Sequence, residues 1–118
     1  METRGGELAK QALAYLRLRL VGQEANLLRL VAIDLSGADV AAFEAYEAKA
    51  LPLVCEHGGR LEIRVRSLDG QTETHLLYFP DEHAFDRYRL DPRRIAAAPE
   101  WEKSGAKSEG KLVERIDF

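Results

Sequence analysis

Residues able to move a proton on a bound molecule cluster around one turn. Asp69-Gly70 is a strong two-residue hairpin signal. A turn centred there pairs Arg66 with Glu73 and Arg64 with His75. A histidine beside a carboxylate can act as a general base, and an arginine can grip a carboxylate through two hydrogen bonds. His75 and Arg64 are therefore the candidate catalytic residues, with Glu62 and Glu73 as ligand-binding neighbours. The same four residues would also make an ordinary cross-strand charge ladder on an edge hairpin. Tyr46 and Trp101 complete the ligand-binding set, because each aromatic ring carries a polar atom that needs a partner. The other aromatics, Phe43, Tyr78, Phe79, Phe85 and Tyr88, read mainly as core.

Other chemistries lack a pattern. His57, His75 and His83 show no H-x-x-x-H spacing, so no metal is expected. His57 precedes Gly58-Gly59, where its cation would favour a helix C-terminus, and His83 reads as exposed. A lone cysteine, Cys55, rules out an internal disulfide framework and is expected to be a buried, unreactive thiol. No nucleophile elbow, phosphate loop or dinucleotide fingerprint occurs, and no cofactor is expected.

The elements that must carry these residues follow from pattern. The 118 residues suit one domain, and 17 Lys and Arg against 20 Asp and Glu leave a net charge of −3. That balance argues against nucleic acid or an anionic membrane as partner. No apolar run reaches the length of a membrane span, and no signal-peptide core follows the N-terminus, so a cytoplasmic protein is expected. Leu27–Leu35 is a near-continuous apolar strand. Ala38–His57 is helical, with Val40, Phe43, Glu47, Ala50, Leu51 and Val54 at helical spacing, a cap at Ser36 or Asp39, and a kink at Pro52. Arg60–Ser67 and Thr72–Phe79 form the hairpin. Asp81–Leu90 is a second helix, and Asp91-Pro92 opens a helical turn that Pro99 ends. Lys103–Gly110 reads as a connection and Lys111–Phe118 as a final strand. Residues 1–26 form an N-terminal extension, a helix over Glu7–Tyr15 running into a short extended piece, ahead of a domain at 27–118.

The order β-α-β-β-α-β is that of a ferredoxin-like α+β plait, an antiparallel sheet with its helices on one face. The alternation predicts that Leu61, Ile63 and Val65 contact the helices. Arg64 and His75 would then lie on the bare face with Leu77 and Phe79, and that half-apolar face predicts a homodimer. A ferredoxin-like plait also suggests an RNA-recognition module, but Glu62 and Arg64 on the second strand and the negative charge argue against it.

Several stretches carry a resemblance. Phe43-Glu44-Ala45-Tyr46, Pro52 six residues on, Glu56-His57-Gly58-Gly59, Leu77-Tyr78-Phe79-Pro80-Asp81, and Asp91-Pro92 followed by Ala96 together resemble the domain-of-unknown-function family numbered 1330. The resemblance covers Leu27–Phe118. It implies membership of the dimeric α+β barrel group, with antibiotic-biosynthesis monooxygenases, chlorite-dismutase-like and muconolactone-isomerase-like enzymes as other branches. The monooxygenases of that group are associated with an Asn/Trp/Tyr set; Asn26, the only asparagine here, stands before the first strand and does not match it. The expected function is binding of a small anionic or aromatic molecule in a cavity beside the sheet. The alternatives are a cofactor-independent oxygenase or isomerase, and a structural or regulatory dimer with no ligand.

Overall fold

The central strand, β1 (Leu27–Asp34), is flanked on both sides. It pairs antiparallel with β3 (Thr72–Phe79) and with β4 (Lys107–Val113), while β2 (Arg60–Arg66) pairs antiparallel with β3 at one edge. The sheet order β2-β3-β1-β4 is that of the ferredoxin-like plait. This is a computed structural model, and it describes residues 26–117. The expected N-terminal helix and extended piece lie outside the described residues.

Helix α1 (Val40–Glu56) starts where the Asp39 carboxylate accepts from the Ala42 amide at 3.1 Å, and it runs through Pro52 as one element. It buries Phe43, Tyr46, Ala50, Leu53 and Val54. Cys55 lies one position past Val54, about 100° further round the helix, and is exposed rather than buried. Helix α2 (Glu82–Arg89) is capped by Asp81, whose carboxylate accepts from the Ala84 amide at 2.8 Å. Asp91 caps the short α3 (Pro92–Ala96) through the Arg93 amide. The Asp91 carboxylate is also bonded by Arg93 and by His57 Nε2 at 2.8 Å, which hold it well below the usual carboxylate range. His57 thus ties the end of α1 to the start of α3.

Two expectations about the C-terminal third need correction. Pro99 opens α4 (Ala98–Ser104) instead of ending a helix, because a first-turn proline loses no intrahelical bond. The connection is only Gly105-Ala106: Gly105 stops α4 at φ 73°, and the last strand begins at Lys107, not Lys111. Its polar composition, Lys107-Ser108-Glu109-Gly110, reads as a loop, but pairing with β1 satisfies its backbone.

The face assignment of the hairpin is inverted. Glu73, His75, Leu77 and Phe79 are the buried, helix-side residues of β3, and Leu77 and Phe79 pack with Leu53, Val54, Ala84 and Tyr88. Ile63 and Val65 lie on the open face at 47% and 54% exposure. Alternation separates two faces but does not say which one the helices cover, and both faces of this sheet carry aliphatic residues. A β-bulge at Glu62 shifts the register, pairing Leu61 with Leu77 instead of Tyr78. Leu61 alone of the predicted trio therefore packs against the helix-side core.

Candidate functional site

The helix side of the sheet and the helices enclose a cleft of about 430 Å³. β1 supplies Arg29 and Val31, β3 His75 and Leu77, and β4 Ser108 and Gly110. From the helices come Tyr46 and Glu47 of α1, Phe85 and Tyr88 of α2, Arg94 of α3 and Trp101 of α4. Tyr46 and Trp101 pack against each other in this wall, with ring centroids 5.3 Å apart. The Arg94 guanidinium lies 5.0 Å over the Tyr88 ring and that of Arg29 4.9 Å over Phe85, so each arginine is steered by an aromatic face. Gly110 makes room for Arg29, since a side chain there would place its Cβ 3.0 Å from Arg29 Nε. Neither Arg29 nor Arg94 has a carboxylate partner within ion-pair distance among the described residues, and Arg94 Nε is buried without a hydrogen bond.

Behind one wall sits a buried ionic cluster. Glu73 is 2% exposed and accepts from Arg64 Nε at 2.8 Å and Arg66 Nε at 2.7 Å, with His75 Nε2 at 2.6 Å. Burial pushes the Glu73 carboxyl up, but the bonds from His75, Arg64 and Arg66 outweigh it and hold the group below its ordinary value. An ionised Glu73 only accepts, so the proton of the 2.6 Å bond belongs to His75 Nε2. The other ring nitrogen, Nδ1, lies 4.0 Å from Glu47 Oε2. Both arginines also bond Glu44 on α1, which clamps the hairpin to the helix.

Glu47 is the unusual member. It is 5% exposed, lines the cleft, and has no hydrogen-bond partner among the described residues. Burial pushes its carboxyl up to about 7; Arg64 and Arg94 draw it down, while Glu73 and Glu44 push it further up. Burial also raises the Tyr46 phenol to about 12 and lifts that of Tyr88, so both are neutral donors near neutrality.

The predicted residues are thus partly gathered. His75, Tyr46 and Trp101 line the cleft, and Glu73 orients His75 from behind. Arg64 pairs with His75 in register as expected, on the helix side, but its guanidinium binds Glu73 and Glu44 and does not line the cleft. Glu62, displaced by the bulge, binds Arg60 and Arg115 away from the cleft. Sequence reasoning missed Arg29, Glu47, Tyr88 and Arg94. The available signal for Glu47 was a carboxylate among the apolar positions of α1. Glu47, Glu73 and His75 also present possible metal-ligand atoms within 4.8 Å of one another. The two guanidinium groups on Glu73 oppose a cation there.

No family model matches the sequence, and no curated protein matches it. Solved structures do match. SnoaB, a cofactor-independent oxygenase from Streptomyces nogalater, aligns with a TM-score of 0.65 at 19% identity, over 80% of this chain and 96% of its own. The RPA0582 protein of unknown function from Rhodopseudomonas palustris aligns with a TM-score of 0.65 at 15% identity, over 90% of this chain and 94% of its own. A candidate antibiotic biosynthesis monooxygenase from Caulobacter crescentus CB15 aligns with a TM-score of 0.55 at 12% identity, over 86% and 99%. At these identities the likeness shows the shared α+β fold. Among the described residues no helix is long and apolar enough to cross a membrane.

Proposed function

We propose that this chain is a cytoplasmic homodimer that binds a small aromatic anion in the cleft between sheet and helices. The observation that carries this reading is the lining of the cleft. Aromatic walls at Tyr46, Phe85, Tyr88 and Trp101 face two arginines, Arg29 and Arg94, that have no carboxylate partner among the described residues. The volume of about 430 Å³ lies in the range of small-molecule sites. Trp101 is the only tryptophan in the chain, so its fluorescence reports occupancy directly. Titration with phenylpyruvate and salicylate should give saturable quenching, weaker for neutral aromatics of the same size. No saturable change up to about 1 mM, the weak limit of useful affinity, would overturn it.

The open sheet face supports the dimer. Leu28, Leu30, Ile63, Val65, Leu76 and Tyr78 share it through the strand pairing. A second copy is the occupant that matches such a face four strands wide. On its β4 border Lys107, Glu109 and Lys111 alternate in sign, which lets a two-fold pairing match opposite charges. Sedimentation at micromolar concentration should show a dimer; a 13.3 kDa monomer would remove this part of the reading. A monomer that turns dimeric only on removal of residues 1–22 would assign the face to that segment instead.

A second reading is an enzyme of the cofactor-independent oxygenase or isomerase kind. It is favoured by the Glu47–His75 pair in the cleft wall, and SnoaB carries a cofactor-independent oxygenase activity on the same fold.

A further inference from the structure

We propose that Glu47 is the proton-accepting group of this cleft. Its substrate class would be aromatic carboxylates with a C–H bond next to a carbonyl, held by Arg29 and Arg94 and turned over by proton transfer. This inference rests on the cleft being an aromatic-anion site and adds the chemistry done there. The supporting geometry is a carboxylate buried in a cavity wall, with no hydrogen bond among the described residues, 4.0 Å from a histidine nitrogen.

Taking a carboxylate largely out of water without a hydrogen bond is costly, and such a group in a cleft wall marks a candidate functional residue. Here the neighbours divide the work. Glu73 is saturated by Arg64, Arg66 and His75, so it stays ionised and is not free to take a substrate proton. Glu44 is half-buried and tied to the same two arginines. Glu47 alone of the three carboxylates lines the cleft, and it makes no hydrogen bond among the described residues. Arg94 is near enough to act on the Glu47 charge, so a carboxylate gripped there would put the rest of a small ligand beside Glu47. Tyr46 and Trp101 line the same cleft and offer an aromatic ring a packing surface there.

The step consumes no co-reactant. The Glu47 carboxylate takes the proton from the carbon. The C–H electron pair becomes the C=C bond, and the carbonyl π pair moves onto oxygen as an enolate beside the arginine charge. Glu47 returns the proton to oxygen, giving the enol, or to the original carbon, restoring the ketone. A proton held by Glu47 exchanges with solvent, so turnover in D2O labels the carbon.

The pH response has a definite sign. The charged groups facing Glu47 are Glu44 on its own helix, Arg64 on β2, Glu73 and His75 on β3, and Arg94 on α3; Arg29 of β1 lines the same cleft. Tyr46 and Tyr88 are neutral near pH 7. The base form of Glu47 fills as pH rises through about 7, so the rate rises there.

The test uses the full chain with phenylpyruvate, reading deuterium entry at C3 by NMR and binding by Trp101 fluorescence. The protein should accelerate labelling over buffer, saturably, with the rate rising across neutrality. Glu47→Gln should lose about 100-fold of that acceleration, a typical general-base contribution, while still binding phenylpyruvate. Glu47→Asp should recover part of the loss, because it restores a carboxylate to the same wall. A thermal melt of each variant separates misfolding from lost chemistry. Phenylpyruvate that binds without accelerated labelling, or a Glu47→Gln protein that labels at the parent rate, would overturn this inference and leave the binding reading standing. Absence of binding would overturn both.

Discussion

On one side of the sheet β3 sends Glu73, His75, Leu77 and Phe79 into the interior; on the other it sends Thr74, Leu76 and Tyr78 toward the surface. The inward side carries ionisable groups at less than 6% exposure, including a carboxylate with no hydrogen bond among the described residues. The outward side carries aliphatic residues that are half exposed, Ile63 and Val65 among them. Burial for stability alone would have sorted these residues the other way. The open face is apolar surface of the kind that any matching apolar surface could cover. The helix side keeps charged groups out of water at a cost, which is the ground for proposing the functional site there.

That contrast can be broken from either side. The largest effect is expected at Glu73. Glu73→Ala leaves His75 without its buried partner and Arg64 and Arg66 with Glu44 alone, and chemical denaturation should show a loss of about 3–5 kcal/mol. The Glu73 carboxyl sits below its ordinary value, so its contribution is present above about pH 4.5 and fades as pH falls.

Glu47 should behave in the opposite sense. Its carboxyl is raised from 4.5 to about 7, so between those values the folded chain holds a proton that the unfolded chain has lost. Stability falls as pH rises through that window. Glu47→Gln removes the dependence: it should match the parent at pH 4 and be more stable by roughly 3 kcal/mol at pH 8, checked by melts at the two pH values. Equal melting at both would show that the carboxylate is solvated.

On the open face, Val65→Asp should weaken self-association at least about 100-fold in sedimentation, with little change in phenylpyruvate binding, because it buries an unpaired charge only in the dimer. Arg94→Ala should weaken phenylpyruvate by about 1.5–3 kcal/mol, the worth of a charge-assisted bond, and weaken a neutral aromatic less; fluorescence titration reads both. The smallest effect is expected from a chain beginning at Gln23. The α+β pattern is complete without residues 1–22, so its unfolding transition should stay cooperative, and a molten product would move the domain boundary.

Much of the plait is legible in the chain. The tight turn falls one residue earlier than expected, across Ser67–Gly70 with the Gly70 amide on the Ser67 carbonyl, but the register holds and Arg64 pairs with His75. Asp39, Asp81 and Asp91 each cap the helix that follows. The candidate site was less legible. Its key carboxylate sits on α1, twenty-eight positions before His75, and nothing local to either residue records that they meet.

Period-two alternation, turn residues and caps are local, so the sequence by itself determined the elements, their order and most of the hairpin register. Which face of the hairpin the helices cover, the bulge at Glu62, and the pairing that makes a strand of Lys107–Val113 were decided only in the tertiary structure. Each depends on what packs against a strand rather than on the strand's own pattern. The helices chose the face with Leu77 and Phe79, and that choice brought His75 and Glu73 inside with them, within reach of Glu47.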